Sequence, residues 1–304
     1  MRVAVTGATG TIGRAVVGGL KRRGDDVTVL ARDVARARSI FEGVDAIAWE
    51  RPDTDPCPAH ALAGRDGVIH LLGEPIAQRW SERARRAIRD SRVLGTRNLR
   101  AGLELADPRP RVLVSQSAVG IYGARGDEPV DESQPPAQDF LAELVTAWEA
   151  EAHAVESLGV RVVITRTGVV LSPSGGALEE MLPPFRLGLG GPVAGGRQYV
   201  PWVHLDDVVG ALLFCLDARE ASGPVNVTAP EPVTNRELSR TLGRVLHRPA
   251  VIPVPALALR VLYGEMASVV TTGARAVPAR LRALGYTFIQ PDLEQALRAV
   301  IGRH

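Results

Sequence analysis

The chain has 304 residues, of which 45% are hydrophobic and 23% are charged, and its formal net charge is +2. This composition is typical of a globular protein with a sizeable core, and it excludes a disordered or fibrous chain. So small a net charge gives no argument for a nucleic-acid partner. No run of 18 apolar residues and no leader peptide is found, so we expect no membrane partner and a cytoplasmic location.

Strand and helix patterns alternate through the first half of the chain. Continuous apolar runs bounded by turn residues are typical of strands that are buried on both faces. Amphipathic patterns between them predict helices, among them an arginine-rich one at 79–100 and another at 139–152. The alternation predicts an α/β fold with a Rossmann-like, doubly wound parallel sheet. The predicted strands lie in residues 2–7, 26–32, 67–73, 111–117 and 160–171.

The composition changes after residue 171, where glycine- and proline-rich loops and short helices follow. One of these helices begins with a capping box formed by Thr234 and Glu237. We therefore predict a first domain of residues 1–171 and a smaller α-rich substrate lobe of residues 172–304. A later strand and helix near 202–229 are expected to return to the first domain.

Three kinds of site find no support in the sequence. Cys57 and Cys215 form no C-x-x-C pair, so neither a disulfide framework nor a zinc site is indicated. The six histidines show no metal-ligand spacing, and we expect no bound metal. No serine lies in a G-x-S-x-G motif, which leaves a nucleophilic hydrolase unsupported.

The segment GATGTIG, residues 7–13, stands between the first predicted strand and the first predicted helix. In this position Gly7 permits a tight turn, Gly10 lets the backbone approach a pyrophosphate, and Gly13 lets the helix pack closely on the strand. The helix N-terminus then offers free N–H groups and a partial positive charge to the phosphates. The segment predicts a dinucleotide-binding loop.

The end of the second strand indicates which dinucleotide is bound. An NAD site places a carboxylate there for the ribose 2′-hydroxyl, whereas this chain has Ala31 followed by Arg32. A guanidinium can pair with a 2′-phosphate, so NADP(H) is favoured. Asp33, one residue farther on, leaves NAD(H) open as the alternative.

Further motifs resemble the extended short-chain dehydrogenase/reductases, the epimerase and dehydratase family. VIHLLG (68–73) is similar to the family's N-x-A-G strand end, and SQSAVGIYG (115–123) to its S-S-x-x-V-Y-G segment. WVHLDDVVGALL (202–213) is similar to a third segment of the family. GEPIAQRW, DFLAEL, MLPPFRLGLGG and LGYTFIQPDLEQAL resemble a subgroup whose substrate is undetermined and whose members carry a C-terminal domain of unknown function, here about 250–300.

The resemblance implies a set of cofactor-binding positions and of catalytic candidates. Catalytic candidates are Ser117, from the serine segment, Tyr122, and Glu74, which follows the predicted strand at 67–73. For each of them a structural role is the open alternative, and His70, His204 and Asp206 are interpreted as structural. The cofactor positions are Gly7, Thr9, Gly10, Thr11, Ile12, Gly13, Arg32, Leu71, Leu72, Gly73, Ser115 and Thr167.

The family's Y-x-x-x-K pair is missing. In most members its tyrosine transfers a proton while its lysine binds the nicotinamide ribose. Those positions align here most simply with Phe140 and Leu144, and the only lysine of the chain is Lys21 in the first predicted helix. Either other residues carry the reaction, or there is none.

Two functions therefore remain open. The first is an NADP(H)-dependent oxidoreductase or epimerase-like protein that acts on a small polar molecule, for example a nucleotide sugar. The second is a non-catalytic NADP(H)-binding redox sensor or scaffold, because the phosphate loop is intact while the proton-transfer pair is absent. A small-molecule partner is expected in either case, and a monomer and a homodimer are equally open.

Overall fold

A computed structural model describes residues 1–302. Its strands are β1 Arg2–Thr6, β2 Asp26–Ala31, β3 Asp45–Ala48, β4 Gly67–His70, β5 Val112–Ala118, β6 Pro129–Val130, β7 Arg161–Thr167, β8 Val169–Leu171, β9 Tyr199–Val200, β10 Trp202–His204, β11 Gly223–Val227, β12 Val233–Thr234 and β13 Arg275–Ala276. Its α-helices are α1 Thr11–Arg22, α2 Val34–Ile40, α3 Ala59–Leu62, α4 Glu82–Leu105, α5 Phe140–His153, α6 Ala177–Arg186, α7 Leu205–Asp217, α8 Asn235–Leu246, α9 Ala256–Tyr263, α10 Ser268–Thr271, α11 Ala279–Ala283 and α12 Leu293–Ile301.

Seven strands form one parallel sheet in the order β11-β7-β5-β4-β1-β2-β3. The order reverses between β1 and β4, and in a doubly wound sheet this reversal opens a crevice for ligands at the carboxyl ends of the strands. The predicted Rossmann-like fold with a helical C-terminal region is confirmed. Its strands read as continuous apolar runs because helices cover both faces of the sheet.

Each face of the sheet carries its own core. On one face Val5 and Val114 pack with Leu20 of α1 and Leu212 of α7. On the other face Leu113 packs in a cluster with Leu99 and Leu103 of α4. The alternate residues of one strand thus serve two different clusters, as the period of two in a strand requires.

The segment predicted as one strand at 160–171 is two strands, and this expectation was wrong. β7 stays in the central sheet, whereas β8 pairs with β10 in a separate two-stranded sheet. The break falls at Gly168, where an added Cβ would lie 2.0 Å from the carbonyl oxygen of Pro201. The short strand β3 was not predicted.

The later part of the chain contributes to the sheet and forms a helical region beside it. β11 is the edge strand next to β7, and α7 packs on α1. α8 and α12 pack on each other around Leu242 and Leu297. Residues 256–272, from the start of α9 to the residue after α10, are called the roof segment below. Within the described residues, no helix is long and apolar enough to cross a membrane.

Candidate cofactor and substrate site

The glycine loop has the geometry of an anion-binding turn. Gly7 has a φ of 64°, and a Cβ there would lie 2.3 Å from the carbonyl oxygen of Leu71. A Cβ at Gly13 would lie 2.3 Å from the carbonyl oxygen of Gly7, so the first turn of α1 sits directly on the loop. Gly10 is the N-cap of α1 and has no side chain to cap it, and no acidic residue lies in the first turn. The N–H groups of this turn can therefore bind a phosphate.

The side chains of the loop leave this surface accessible. Thr9, Thr11 and Ile12 are half-buried and Gly10 is exposed. The carbonyl oxygen of Thr9 accepts a hydrogen bond from Nε of Arg14 at 2.8 Å. Arg14 thereby fixes the turn from the outer side.

After the end of β2, Arg32 and Asp33, which favour different cofactors, lie in different environments. Arg32 is exposed immediately after β2. Asp33 is the N-cap of α2, and its Oδ1 accepts a hydrogen bond from the N–H of Arg36 at 2.9 Å. Its carboxylate is held by the helix, which weakens the alternative in which Asp33 binds the ribose 2′-hydroxyl. Within residues 1–302, no hydrogen bond or ion pair holds the guanidinium of Arg32 in place.

The end of β4 brings the next predicted residues beside the glycine loop. Leu71 is buried, Leu72 is half-buried and Gly73 is exposed. Glu74 is partly exposed and held by its backbone, since its N–H donates to Ser91 Oγ at 2.9 Å and its carbonyl accepts from Arg92 Nη1 at 2.9 Å.

Arg92 was not predicted, although its α4 lies in the arginine-rich pattern. Its guanidinium lies over the ring of Trp148 at 5.3 Å and lies against Gly73, where a Cβ would be 2.9 Å from the guanidinium carbon. Burial lowers the pKa of Arg92 to about 10, against the opposing attraction of Glu74, so the side chain remains a cation at neutral pH. A positive charge therefore lies at the carboxyl end of β4.

His70 is a structural residue in this geometry. Its Nδ1 lies 2.8 Å from Thr6 Oγ1 and its Nε2 lies 3.1 Å from Thr96 Oγ1. Trp148 Nε1 also donates to Thr96 Oγ1 at 3.0 Å, so the group links β1, β4, α4 and α5. Complete burial lowers the pKa of His70 to about 3, which keeps the ring neutral.

Ser117 belongs to a buried ionic network rather than to an open surface. Its hydroxyl donates to Glu149 Oε1 at 2.5 Å, and the Glu149 carboxylate receives Nε and Nη2 of Arg166 at 2.9 and 2.8 Å. Hydrogen bonds and attraction from Glu149 raise the pKa of Arg166 in spite of its burial. A bidentate pair of this kind holds both charges in one geometry.

Tyr122 completes the same network. Its hydroxyl accepts from Arg166 Nη1 at 3.0 Å and donates to Asn226 Oδ1 at 2.7 Å. Burial raises the pKa of Tyr122, although Arg166 opposes the effect. The side chains of Tyr122 and Ser117 are almost inaccessible to solvent. The structure thus places both hydroxyls against protein groups, which favours the structural role that the sequence left open for each of them.

The two remaining cofactor candidates are buried near the carboxyl ends of neighbouring strands. Ser115 of β5 is buried, and its Oγ has no hydrogen-bond partner among the described residues. Thr167 ends β7, and its hydroxyl donates to the carbonyl of Thr165 at 3.3 Å. Both lie on the same side of the reversal in strand order as β4.

The helix that should carry the proton-transfer pair packs with its apolar face. Asp139 caps α5 through a 3.0 Å bond from the N–H of Ala142. Phe140 packs against Trp80 with ring centroids 5.1 Å apart, and Leu144 is buried with Ile88 and Trp148. Neither position holds a group that can transfer a proton.

A cavity of about 730 Å³ lies at the carboxyl ends of β5 and β7. The sequence did not predict which residues line it, because its walls come from distant parts of the chain. Val119 and Gly120 line it directly after β5, Leu141 lines it from α5, and Val269 and Val270 line it from the roof segment. A pocket of this size accommodates a drug-sized ligand. Ser117, Tyr122 and Glu74 are not among the residues that line it.

The roof segment approaches the rest of the cavity through a backbone contact. A Cβ at Gly273 would lie 2.1 Å from the carbonyl oxygen of Tyr199 in β9. β13 follows at once and pairs with β6. These two contacts, made by the chain just after the roof segment, hold its C-terminal end against β9 and β6.

Comparisons with known proteins agree with this architecture. Residues 3–228 match the NAD dependent epimerase/dehydratase family, and residues 254–300 match a domain of unknown function, DUF1731. An epimerase family protein of Mycobacterium bovis is 41% identical over 97% of this chain and 96% of its own length. The human epimerase family protein SDR39U1 is 36% identical over 99% of this chain and 100% of its own length.

Two solved structures are similar to the whole chain. The crystal structure of human SDR39U1 (isoform 2) with NADPH has a TM-score of 0.88 and 34% identity, and all of both chains is covered. MoeE5 in complex with UDP-glucose and NAD has a TM-score of 0.79, covering 99% of this chain and 98% of its own. Because its identity is 21%, it shows the fold alone.

Proposed function

The chain belongs to the NAD-dependent epimerase/dehydratase family, and from this premise we propose that it is an NADP(H)-dependent oxidoreductase. The proposal rests on two features that occur together. The glycine loop is open to a phosphate, and at the end of β2 Arg32 is exposed while Asp33 is held as a helix cap. The related human protein was crystallised with NADPH, which supports the same choice.

In this proposal the N-terminus of α1 and the loop of residues 7–13 bind the pyrophosphate, and Arg32 pairs with the 2′-phosphate. Leu71, Leu72 and Gly73 form the wall beside the loop, with Arg92 behind it. When bound, the nicotinamide supplies or accepts a hydride. Ser115, which pairs with the last residue of β4, and Thr167, the last residue of β7, would orient it toward the cavity.

The candidate catalytic residues take different roles. We assign Ser117 and Tyr122 to positioning, because their hydroxyls hydrogen-bond the buried Glu149–Arg166 pair and fix its geometry. Glu74 remains the candidate base, because its carboxylate is partly exposed beside Gly73 while its backbone is fixed.

The cofactor proposal is tested by titrating NADPH and NADH against the protein and following nucleotide fluorescence. We expect NADPH to bind at least several-fold more tightly. Arg32→Ala should remove about 1.5–3 kcal/mol of NADPH binding and leave NADH binding unchanged. Arg22→Ala, at the opposite end of α1, is the matched control and should change neither affinity. Equal affinities of the unmodified protein for the two nucleotides would refute the proposed role of Arg32.

A non-catalytic NADP(H)-binding sensor or scaffold is the second candidate. It is favoured by Phe140 and Leu144 at the positions of the missing pair and by the burial of Ser117 and Tyr122. The two functions are separated by nucleotide turnover with a library of aldehydes, ketones and sugar nucleotides. Sustained turnover of any member refutes the sensor. Tight NADPH binding without turnover across the library favours it.

A further inference from the structure

The cavity is lined mostly by hydrocarbon. Its floor is Leu141 and Val119, one wall includes Val169 and Met181, and its roof includes Val269 and Val270. A ligand in such a pocket gains free energy mainly from the burial of its own apolar surface. This lining differs from the polar substrate expected from the sequence.

The charges at the cavity do not suit a nucleoside diphosphate. Three charged side chains line it, namely Asp139, Glu265 and Arg260, and two of the three are acidic. Arg85 lies beside the cavity, over the ring of Phe140, but it forms an ion pair with Glu265. A pyrophosphate would have to shed its hydration without gaining a matching set of cations, which is unfavourable.

The substitutions in α5 change the cavity in the same direction. The position aligned with the family's proton donor is Phe140, which lines the cavity together with Leu141 and packs on Trp80. The aligned lysine position is the buried Leu144. Of the two positions only Phe140 lines the cavity, and its ring replaces a phenol whose hydroxyl would lose its hydration beside an apolar ligand.

We propose that this cavity binds a neutral, predominantly apolar carbonyl compound or alcohol, with its hydrocarbon body against Leu141, Val269 and Val270. The inference rests on the proposed function for the identity of the cofactor, but the binding of the ligand can be measured by itself. Binding should therefore strengthen with each methylene that the ligand adds, by about fourfold from the ~0.8 kcal/mol of one buried methylene.

The test is calorimetric titration of the NADP⁺-saturated full-length protein, in which no hydride is available to reduce a ketone, with 2-butanone, 2-hexanone and 2-octanone, and separately with UDP-glucose. We expect affinity to rise about 15-fold for every two methylenes, and UDP-glucose to bind more weakly than 2-octanone. An affinity that does not depend on chain length, or tighter binding of UDP-glucose, overturns the inference.

A pair of variants assigns the binding to this cavity. Val269→Asp introduces a charge into the lining and should weaken 2-octanone binding at least tenfold. Val261→Asp lies in the same segment, is 67% exposed and does not line the cavity, so it should leave the affinity unchanged. Should Val269→Asp prevent folding, Val269→Thr keeps the shape, exchanges one methyl for a hydroxyl and should weaken binding several-fold.

NADPH affinity is measured in all variants and separates the two proposals. If NADPH binds but the affinity for the ketones does not depend on their chain length, the proposal of an apolar ligand is refuted and the cofactor proposal is not. If the unmodified protein does not bind NADPH, the proposed cofactor is refuted. The ketone titration of the protein without nucleotide then still tests whether the cavity binds an apolar ligand. Equal weakening by Val269→Asp and Val261→Asp would show that the ketone binds elsewhere and overturn the assignment.

Discussion

The central sheet and the roof segment differ in which side chains are buried and which are exposed. Around the sheet, ionic and polar side chains such as Glu149, Arg166 and His70 are buried and matched by partners. In the roof segment, apolar side chains such as Leu257 and Val261 are exposed, and α9 contains no buried residue. The sheet therefore carries the stability and the fixed geometry of the cofactor site, whereas the roof segment contributes a surface.

The largest expected effect comes from breaking the buried ion pair. Glu149→Gln leaves the Arg166 guanidinium without a countercharge, at a cost of about 3–5 kcal/mol in the free energy of unfolding. Urea denaturation followed by circular dichroism measures it. Glu151→Gln on the same helix is the control, because its partner Arg97 is half-exposed, and it should cost about 0–1 kcal/mol. Similar losses in the free energy of unfolding for both variants would contradict the difference between a buried and an exposed ion pair.

His70 gives the sheet region a specific pH dependence. Because its pKa is about 3 in the folded protein and about 6.5 in an unfolded chain, the unfolded state binds the extra proton. The stability from this group is fully present above pH 6.5 and is lost as the pH falls toward 3. Between pH 7 and pH 5 the loss is about 2 kcal/mol.

The measurement is urea denaturation at several pH values between 5 and 7. His70→Asn removes the titrating ring and should flatten this dependence, whatever it does to the stability at pH 7. His60→Asn, at an exposed position, should leave the dependence of the unmodified protein in place. If the stability of His70→Asn still falls between pH 7 and pH 5, groups other than His70 cause the pH dependence.

Gly10 should separate cofactor binding from stability. Gly10 has φ −75° and ψ 172°, which alanine adopts without strain, and an added Cβ would meet only the carbonyl oxygen of Gly7 at 3.4 Å. Gly10→Ala should therefore fold, while its methyl keeps the pyrophosphate from the backbone. We expect NADPH affinity to fall about tenfold, or ~1.4 kcal/mol.

Gly18→Ala in α1 is the matched control for that loss. Its Cβ would meet only the flexible end of Arg22, at 3.4 Å, and it lies in the interior of the helix. Alanine there should stabilise the protein by about 0.5–1 kcal/mol and leave NADPH affinity unchanged. Undiminished NADPH binding by Gly10→Ala would show that the pyrophosphate does not approach this turn.

Whether a feature could be predicted from the sequence depends on how far apart in the chain its interacting residues lie. The loop of residues 7–13 and the Thr234 cap of α8 depend on neighbours within a few residues, and their patterns were readable. The network of Ser117, Glu149 and Arg166 joins residues 17 to 32 positions apart, which carry no common motif. The cavity brings together α5 and the roof segment, more than 100 positions apart in the chain. Packing decides such contacts, and a single sequence does not record it.

The smallest expected effect belongs to the roof segment. Leu257 is 72% exposed in α9, so it has little apolar surface to lose on unfolding. Leu257→Ser should change the free energy of unfolding by no more than about 0.5 kcal/mol, mostly through the lower helix propensity of serine. Leu113→Ala, a fully buried position in β5, should cost about 2–5 kcal/mol under the same conditions. If Leu257→Ser instead costs more than ~1.5 kcal/mol, the side chain is buried in solution. A dependence of that loss on protein concentration would then identify a second copy of the chain as what covers it. A loss that does not change with concentration would mean that the roof segment itself folds over Leu257, and the contrast between the two regions would fail at its clearest point.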